Sequence, residues 1–198
     1  MKKIDQPISF GAYRHDPGGR KKPPWPSDSN VDAKFSGCTK YRYELTEIWD
    51  QKLPMVMFLL MNPSVAGIEH ADPTLIKCGK FARAWGYGGQ LVGNVHAYRI
   101  TDSNLLIHAE DPVGPENDAS LLSMARRADM VVLAYGLPPK PLRLRAAKVV
   151  ESLSGNVQLK YLRLTKDGTP GHPLYLPGRL VPLDYVPTDV EQPGEQGR

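Results

Sequence analysis

Cysteine and long apolar runs are both scarce in this sequence. Only Cys38 and Cys78 occur among the 198 residues, and a chain of this length can bury a core that needs no disulfide, so we expect two reduced thiols. The longest apolar run, Met55–Met61, is far shorter than the roughly 20 residues that cross a bilayer, and no apolar segment follows the charged N-terminus. We therefore expect a cytoplasmic protein that does not contact a membrane.

Neither sign of charge dominates. Lys and Arg number 25 against 21 Asp and Glu, a formal net charge of +4, which is compatible with a polyanionic partner without requiring one. With 41% hydrophobic and 23% charged residues, the composition is typical of a soluble globular protein. We predict an irregular basic arm over residues 1–35, a single α/β domain over 36–186 and a flexible tail over 187–198.

The common nucleotide-binding and hydrolase motifs are also missing. The sequence has no G-x-x-x-x-G-K-[ST], no G-x-G-x-x-G between a strand and a helix, no G-x-S-x-G and no C-x-x-C. The spacing of His70, Asp72 and Cys78 matches no standard zinc site. The acidic stretch DPVGPEND (111–118) is more typical of the start of a helix than of a Mg²⁺ site. We predict neither a metal nor a cofactor.

The sequence does contain alternating strand and helix patterns. A helix is predicted after Asp72, which is placed as the N-cap before Pro73 at N1, with Gly86 near the stop. Strands that are apolar on both faces and alternate with helices predict a three-layer α/β/α sandwich around a mostly parallel sheet. A short polar turn after the first strand predicts a hairpin with the second. The predicted strands are 41–49, 54–61, 90–99, 130–136 and 158–164, and the other predicted helices are 115–129 and 140–155.

Polar side chains follow three of the predicted strands. Ligands of parallel α/β sheets bind beyond the carboxyl ends of the strands, and a buried amide there costs roughly 1–3 kcal/mol when it is left unpaired. An Asn at a strand end also commonly caps a turn, and a loop His commonly makes a local hydrogen bond, so both interpretations stay open. The residues at these strand ends are Asn62, Pro63, Ser64, Asn94, His96, Tyr98, Arg99, Gly171, His172 and Pro173.

Several motifs together resemble one known family. The runs are FLLMNPSVAG (58–67), DPTLIKCGKFARAWGYGG (72–89), VGNVHAYRITD (92–102), DPVGPEND (111–118) and KDGTPGHPLY (166–175). They closely resemble a bacterial and phage family known as domain of unknown function 1643, over roughly residues 38 to 185. The family name carries no established activity.

A more distant resemblance points to a chemistry. MNPS (61–64) resembles the first motif of the uracil-DNA glycosylase superfamily, LVGNVHAYR (91–99) its strand ending in a base-reading Asn, and GHPLYLP (171–177) its His-Pro motif. The resemblance implies a uracil-DNA-glycosylase-like sandwich in which Asn62 orients the attacking water, Asn94 reads a base edge and His172 stabilises the departing base. Asn62 and His172 would then be the catalytic residues of an N-glycosidic hydrolase.

We expect a nucleobase, a nucleotide or DNA to bind in a cleft formed by the loops 62–74, 94–102 and 170–177. An amide can read a flipped base in a pocket that excludes water, and a neutral His can donate to the base as negative charge develops on it. Arg99, Thr101 and Arg143 are candidates for phosphate contact. The predicted substrate-binding residues are Pro63, Ser64, Asp72, Thr74, Asn94, His96, Tyr98, Arg99 and Thr101.

Two other classes of function stay open. A non-catalytic nucleic-acid recognition module is favoured by Leu60, which stands where the superfamily has a Gly, and by the lack of a stacking aromatic residue just after the first motif. An enzyme acting on a small nucleotide or sugar metabolite is favoured by the polar loop that contains Asp72 and Thr74.

Overall fold

A computed structural model describes residues 23–64 and 68–186. These residues form one seven-stranded sheet and three α-helices, and short 3-10 helices occur at 103–108, 140–142 and 173–175. The strands are β1 (Asn30–Phe35), β2 (Arg42–Ile48), β3 (Met55–Leu60), β4 (Gly89–Asn94), β5 (Met130–Leu133), β6 (Leu159–Tyr161) and β7 (Leu183–Asp184). The helices are α1 (Pro73–Ala84), α2 (Asn117–Arg127) and α3 (Arg143–Ser154). No helix in this part of the chain is long and apolar enough to span a membrane.

The fold is mixed α/β, and its sheet has the strand order β1-β2-β4-β3-β5-β6-β7. The central strands β4, β3, β5 and β6 run parallel to one another. The pairs β1–β2, β2–β4 and β6–β7 are antiparallel. The predicted mostly parallel arrangement is therefore confined to the four central strands.

The predicted hairpin between β2 and β3 is wrong, because β4 lies between these two strands. The start of β4 approaches the turn after β2 very closely: Gly88 accepts hydrogen bonds from the N–H groups of Trp49 and Asp50, both at 2.9 Å. A Cβ at Gly88 would lie only 1.9 Å from the Asp50 carbonyl oxygen. Only glycine fits this approach, so a contact far along the chain outweighs the short connection between β2 and β3.

The signals that bound α1 are confirmed. The Asp72 side chain accepts a hydrogen bond from the Thr74 N–H at 2.8 Å, and Pro73 occupies the first turn. The helix ends at Ala84 with Trp85 as its C-cap, and Gly86 follows with a φ of +85°, a conformation that favours glycine. The start of α1 is therefore fixed by local sequence.

Apolar side chains pack in two clusters that involve both faces of the central strands. Successive residues of a strand point to opposite faces, so strands buried on both sides supply both clusters. The α1 cluster includes Val56, Phe58, Leu60, Val92 and Val132 with Leu75, Cys78 and Phe81 of α1. The α2/α3 cluster includes Met57, Leu59, Leu91 and Val131 with Leu121, Met124, Val149 and Leu153 of the other two helices.

The prediction of an irregular arm over residues 1–35 is wrong for residues 30–35. These residues form β1, which pairs with β2 from Asn30 opposite Ile48. Their exposure alternates along the strand, as expected for an edge strand with one face on the protein. Residues 1–22 and the predicted tail at 187–198 lie outside the described residues. Both cysteines are free thiols, as predicted, with Cys38 exposed and Cys78 buried.

Candidate functional site

The three predicted loops lie at the carboxyl ends of the central strands. Asn62 follows β3, Asn94 ends β4, and the 170–172 segment lies against the chain that follows β5. The Gly136 N–H donates to the Pro170 carbonyl at 3.0 Å. Gly136 has a φ of +68°, and a Cβ there would lie 3.3 Å from the His172 Cβ. The structure therefore brings the 171–173 turn to the same edge of the sheet as the 62–64 turn.

Asn62 joins the loop after β3 to the segment after β4. Its Nδ2 donates to the Ile100 carbonyl at 2.6 Å and to the Pro63 carbonyl at 3.2 Å. The Ile100 N–H in turn donates to the Pro63 carbonyl at 3.0 Å. Asn62 thus ends a buried strand because backbone carbonyls satisfy its amide nitrogen.

The side-chain amide of Asn94, unlike that of Asn62, has no hydrogen bond to the described residues. It is 1% exposed, and neither its Nδ2 nor its Oδ1 has a hydrogen-bond partner among residues 23–64 and 68–186. Its backbone carbonyl is held, because Asn117 Nδ2 donates to it at 3.0 Å. Each buried and unpaired polar group costs roughly 1–3 kcal/mol. The carboxamide of Asn94 therefore has a donor and an acceptor that residues 23–64 and 68–186 leave uncompensated.

His172 presents a second buried polar atom without a partner. The residue is half-buried before the short helix Pro173–Tyr175, and its Nδ1 has no partner within the described part of the chain. Burial lowers the pKa of His172 below its ordinary value, and the negative charge of Asp72 opposes that shift. The imidazole is therefore neutral at pH 7, with one N–H donor and one acceptor nitrogen.

Arg42, at the start of β2, is a charged residue of this region that sequence reasoning missed. It is only 3% exposed, and its Nε has no hydrogen-bond partner among the residues that the structure describes. Burial lowers its pKa to about 10, with a further decrease from Arg99 and an opposing increase from Asp72. The signal was a charged residue in YRYELTEIW (41–49), where aromatic and apolar residues alternate. Asp72 thus links Arg42 and His172 electrostatically at the start of α1.

Arg99, in the segment after β4, contacts the end of β1 and the loop that follows it. Its guanidinium donates to the Thr39 carbonyl at 2.8 Å and lies 4.9 Å from the centre of the Phe35 ring. Phe35 is the cross-strand partner of Arg42. The Phe35 ring therefore holds Arg99 at the β1–β2 pair, opposite the position where Arg42 begins β2.

His96 and Tyr98 have different surroundings from Asp72. His96 is 1% exposed, and its pKa is lowered to about 4, first by burial and then by the positive charge of Arg145 on α3. Tyr98 packs against the α2/α3 cluster, and its ring makes an edge-to-face contact with the Tyr41 ring, with the ring centres 5.8 Å apart. The structure therefore groups Tyr98 with the α2/α3 cluster, while Asp72 lies at the start of α1.

The remaining predicted residues are placed as follows. Pro63 is buried and acts through its carbonyl, Ser64 is half-buried, and Thr101 is exposed. Thr74 is half-buried, and its N–H is bound by the Asp72 side chain. Arg143 is exposed and donates to the Pro138 carbonyl at 3.2 Å.

A cavity of about 140 Å³ lies between α2 and α3. Its lining includes Asp118 and Arg145, which form an ion pair with each other. None of the residues predicted for substrate binding lines it. Among the described residues, no group of three or more His, Cys, Asp or Glu is placed to hold a metal ion. The cavity is therefore separate from the unpaired groups at the carboxyl ends of the strands.

Comparison with known proteins identifies a family. A family model described as "Protein of unknown function (DUF1643)" matches residues 42–174, which is more than half of the chain. No curated protein and no solved structure matches. The resemblance to the uracil-DNA glycosylase superfamily stays a prediction. The chain therefore belongs to the DUF1643 family of proteins of unknown function.

Proposed function

We propose that this protein binds a nucleobase, alone or within a nucleotide or DNA, at the carboxyl ends of its central strands. The observation that carries the proposal is the Asn94 carboxamide, which is 1% exposed and has neither its nitrogen nor its oxygen paired within residues 23–64 and 68–186. An amide reads the edge of a flipped base through one hydrogen-bond donor and one adjacent acceptor, and the side chain of Asn94 contains both. A ligand that pairs with both atoms removes a desolvation cost that the free protein bears.

We propose hydrolysis of an N-glycosidic bond as the reaction, on a three-layer scaffold of the uracil-DNA-glycosylase kind. Water attacks the anomeric carbon of the sugar as the bond between that carbon and the base nitrogen breaks. The base leaves with the electron pair and takes up the proton that the water loses, so the products are the free sugar hydroxyl and the neutral base. While the bond breaks, negative charge develops on the base, where the neutral imidazole of His172 supplies an N–H donor. Because Asn62 Nδ2 is bound to carbonyls, the Asn62 oxygen is the group that would accept from the attacking water.

A non-catalytic recognition module is the second candidate. Leu60 is buried in the α1 cluster, so a side chain occupies the position where the superfamily motif has glycine. The Asn62 nitrogen also has a complete structural explanation in its contacts with Ile100 and Pro63. These two observations favour binding without hydrolysis.

The test separates binding from turnover. Single-stranded and double-stranded oligonucleotides carrying uracil or another modified base, and the corresponding nucleotides, are assayed for base release and, by fluorescence polarisation, for binding. Asn94→Ala should weaken binding, whereas Asn62→Ala and His172→Gln should retain binding and lose release. Asn104→Ala, a change at an exposed asparagine that contacts Asp102, should change neither.

Each result has a defined meaning. Wild-type protein that binds a base-containing ligand without releasing the base supports the recognition module. Binding that falls steeply as the salt concentration rises indicates a nucleic acid, because neutralised phosphates release counterions. Wild-type protein that neither binds nor cleaves any base-containing probe overturns the proposal.

A further inference from the structure

The cavity of about 140 Å³ between α2 and α3 has an apolar wall. This wall is formed by Leu121 of α2 and by Val149 and Leu153 of α3, all of which are buried. Protein interiors leave few voids larger than a water molecule, and an engineered apolar cavity of about 150 Å³ binds benzene. The cavity therefore has room for one compact apolar group of the size of a benzene ring.

Polar contacts with the backbone fix the two helices beside this cavity. Arg145 of α3 donates from its Nε to the Val95 carbonyl at 3.1 Å and from its two terminal nitrogens to the Asp118 carboxylate of α2. Asn117, at the start of α2, donates to the same Val95 carbonyl at 3.2 Å. Because all three guanidinium nitrogens of Arg145 have partners, this side chain stays on the wall of the cavity, and both helices are anchored to the chain after β4.

The polar rim of the cavity carries one positive charge that no described residue neutralises. Asp118 and Arg145 line the rim and neutralise each other as an ion pair. Lys148 and Ser152 also line it, and they lie on the same face of α3 because they are four residues apart. Lys148 belongs to none of the ion pairs between described residues, and within them neither its ammonium nor the Ser152 hydroxyl has a hydrogen-bond partner. The rim thus places an ammonium and a hydroxyl beside the apolar wall.

The geometry points to a second binding site in this cavity, and we propose that its ligand is a small monocarboxylate with a compact apolar body, such as an aromatic acid. The apolar body lies against Leu121, Val149 and Leu153, and burial of its surface supplies most of the affinity. The carboxylate lies at the rim, where it accepts from Lys148 Nζ and Ser152 Oγ. A single negative charge matches the single unpaired positive charge of the lining. This inference is independent of the proposed function, because none of the residues predicted for substrate binding lines the cavity.

The experiment titrates benzoate, benzyl alcohol and acetate into the full-length protein at constant ionic strength and follows the Leu and Val methyl groups by NMR. Benzoate should bind saturably with a Kd of about 0.1–10 mM, the range expected for a ligand of about nine heavy atoms. The methyl signals of Leu121, Val149 and Leu153 should shift, and those of Val56 and Val132 in the α1 cluster should not. Benzyl alcohol should bind about 2- to 5-fold more weakly, since it lacks the charge that pairs with a partly solvated ammonium. Acetate, which lacks the apolar body, should cause no saturable shift.

Two variants at the rim test the two parts of the site. Lys148→Met should remove the preference for benzoate over benzyl alcohol, whereas Lys52→Met, a change at an exposed lysine outside the cavity, should keep it. Ser152→Phe, which places an aromatic ring at the rim, should abolish the shifts with every probe. Because Lys148 and Ser152 are exposed, neither change removes a buried contact, and both variants should fold.

Three results would overturn the inference. The first is a wild-type protein whose Leu121, Val149 and Leu153 methyl signals do not shift with benzoate, a readout that needs no variant. The second is benzyl alcohol that binds as tightly as benzoate. The third is a Lys148→Met protein that keeps the wild-type preference for benzoate.

Discussion

Replacing Asn94 with alanine should stabilise the free protein, although Asn94 is one of its most deeply buried polar residues. Two polar atoms without partners in the described part of the chain cost roughly 1–3 kcal/mol each. The cavity left by the carboxamide, roughly 40 Å³, costs ~1 kcal/mol at ~24 cal/mol per Å³. The expected net gain in the free energy of unfolding is therefore ~1–5 kcal/mol.

Asn117 provides the matched control. It is 0% exposed, against 1% for Asn94, but its Nδ2 donates to the carbonyls of Asn94 and Val95 at 3.0 and 3.2 Å. Arg145 also donates to the Val95 carbonyl, so Asn117→Ala leaves chiefly the Asn94 carbonyl unpaired. The Oδ1 of Asn117 has no partner among the described residues, so its removal offsets the carbonyl that is left unpaired. The change should therefore lower the free energy of unfolding by ~1 kcal/mol, which is the cost of the cavity. Two equally buried asparagines thus have predicted effects of opposite sign.

Urea unfolding followed by the fluorescence of the three tryptophans measures both changes, provided that the dependence on urea concentration is the same in all proteins. A bound ligand should stabilise wild type and leave Asn94→Ala nearly unchanged. If Asn94→Ala lowers stability as much as Asn117→Ala, the Asn94 carboxamide has a structural role and the reasoning about its unpaired atoms is refuted.

Three further outcomes are expected. Burial lowers the pKa of His96 from its ordinary 6.5 to about 4, so the unfolded chain takes up a proton first, and the free energy of unfolding should fall between pH 6.5 and 4 by up to ~1.4 kcal/mol per pH unit. Urea titrations across this range should show a flatter dependence in His96→Gln, and equal slopes would contradict the assignment. A Cβ at Gly88 would lie 1.9 Å from the Asp50 carbonyl oxygen, a backbone atom, so Gly88→Ala should lower stability by ~1–3 kcal/mol or more. Gly155→Ala, where no atom lies within 4 Å, should change stability by less than ~0.5 kcal/mol, and similar losses in both variants would argue against the close contact. A thiol reagent should modify Cys38 rapidly and Cys78 only after unfolding, because Cys38 is exposed and Cys78 is buried; two fast thiols in native protein would contradict the packing of α1.

Local signals explain which parts of the fold the sequence predicts. The start of α1 follows from Asp72 and Pro73, because an N-cap and the first turn of a helix involve neighbouring residues only. The partner of β2 does not follow from such signals. It depends on the close approach of Gly88 to Asp50, two residues that the local pattern around β2 does not connect.

The residues of the candidate site likewise fall into those that local sequence identifies and those that it does not. Asn94 and His172 are identifiable because polar residues at the ends of apolar strands are conspicuous in a sequence. Arg42 is not, since its interest comes from burial without a partner in the described residues, and a sequence does not show which acceptors lie within reach. Tyr98 follows Asn94 closely along the chain but packs in the α2/α3 cluster, because the chain beyond β4 no longer keeps the alternation of a strand.

Because Gly136 contacts the loop that contains His172, the residue at position 136 indicates how the His172 imidazole is positioned. Any larger residue there must adopt an unfavourable backbone conformation, with φ near +68°, and must also push against a Cβ only 3.3 Å away. A relative that carries another residue at this position has to seat its imidazole differently. The residue at position 136 therefore distinguishes relatives that can assemble this part of the site in the same form from those that cannot.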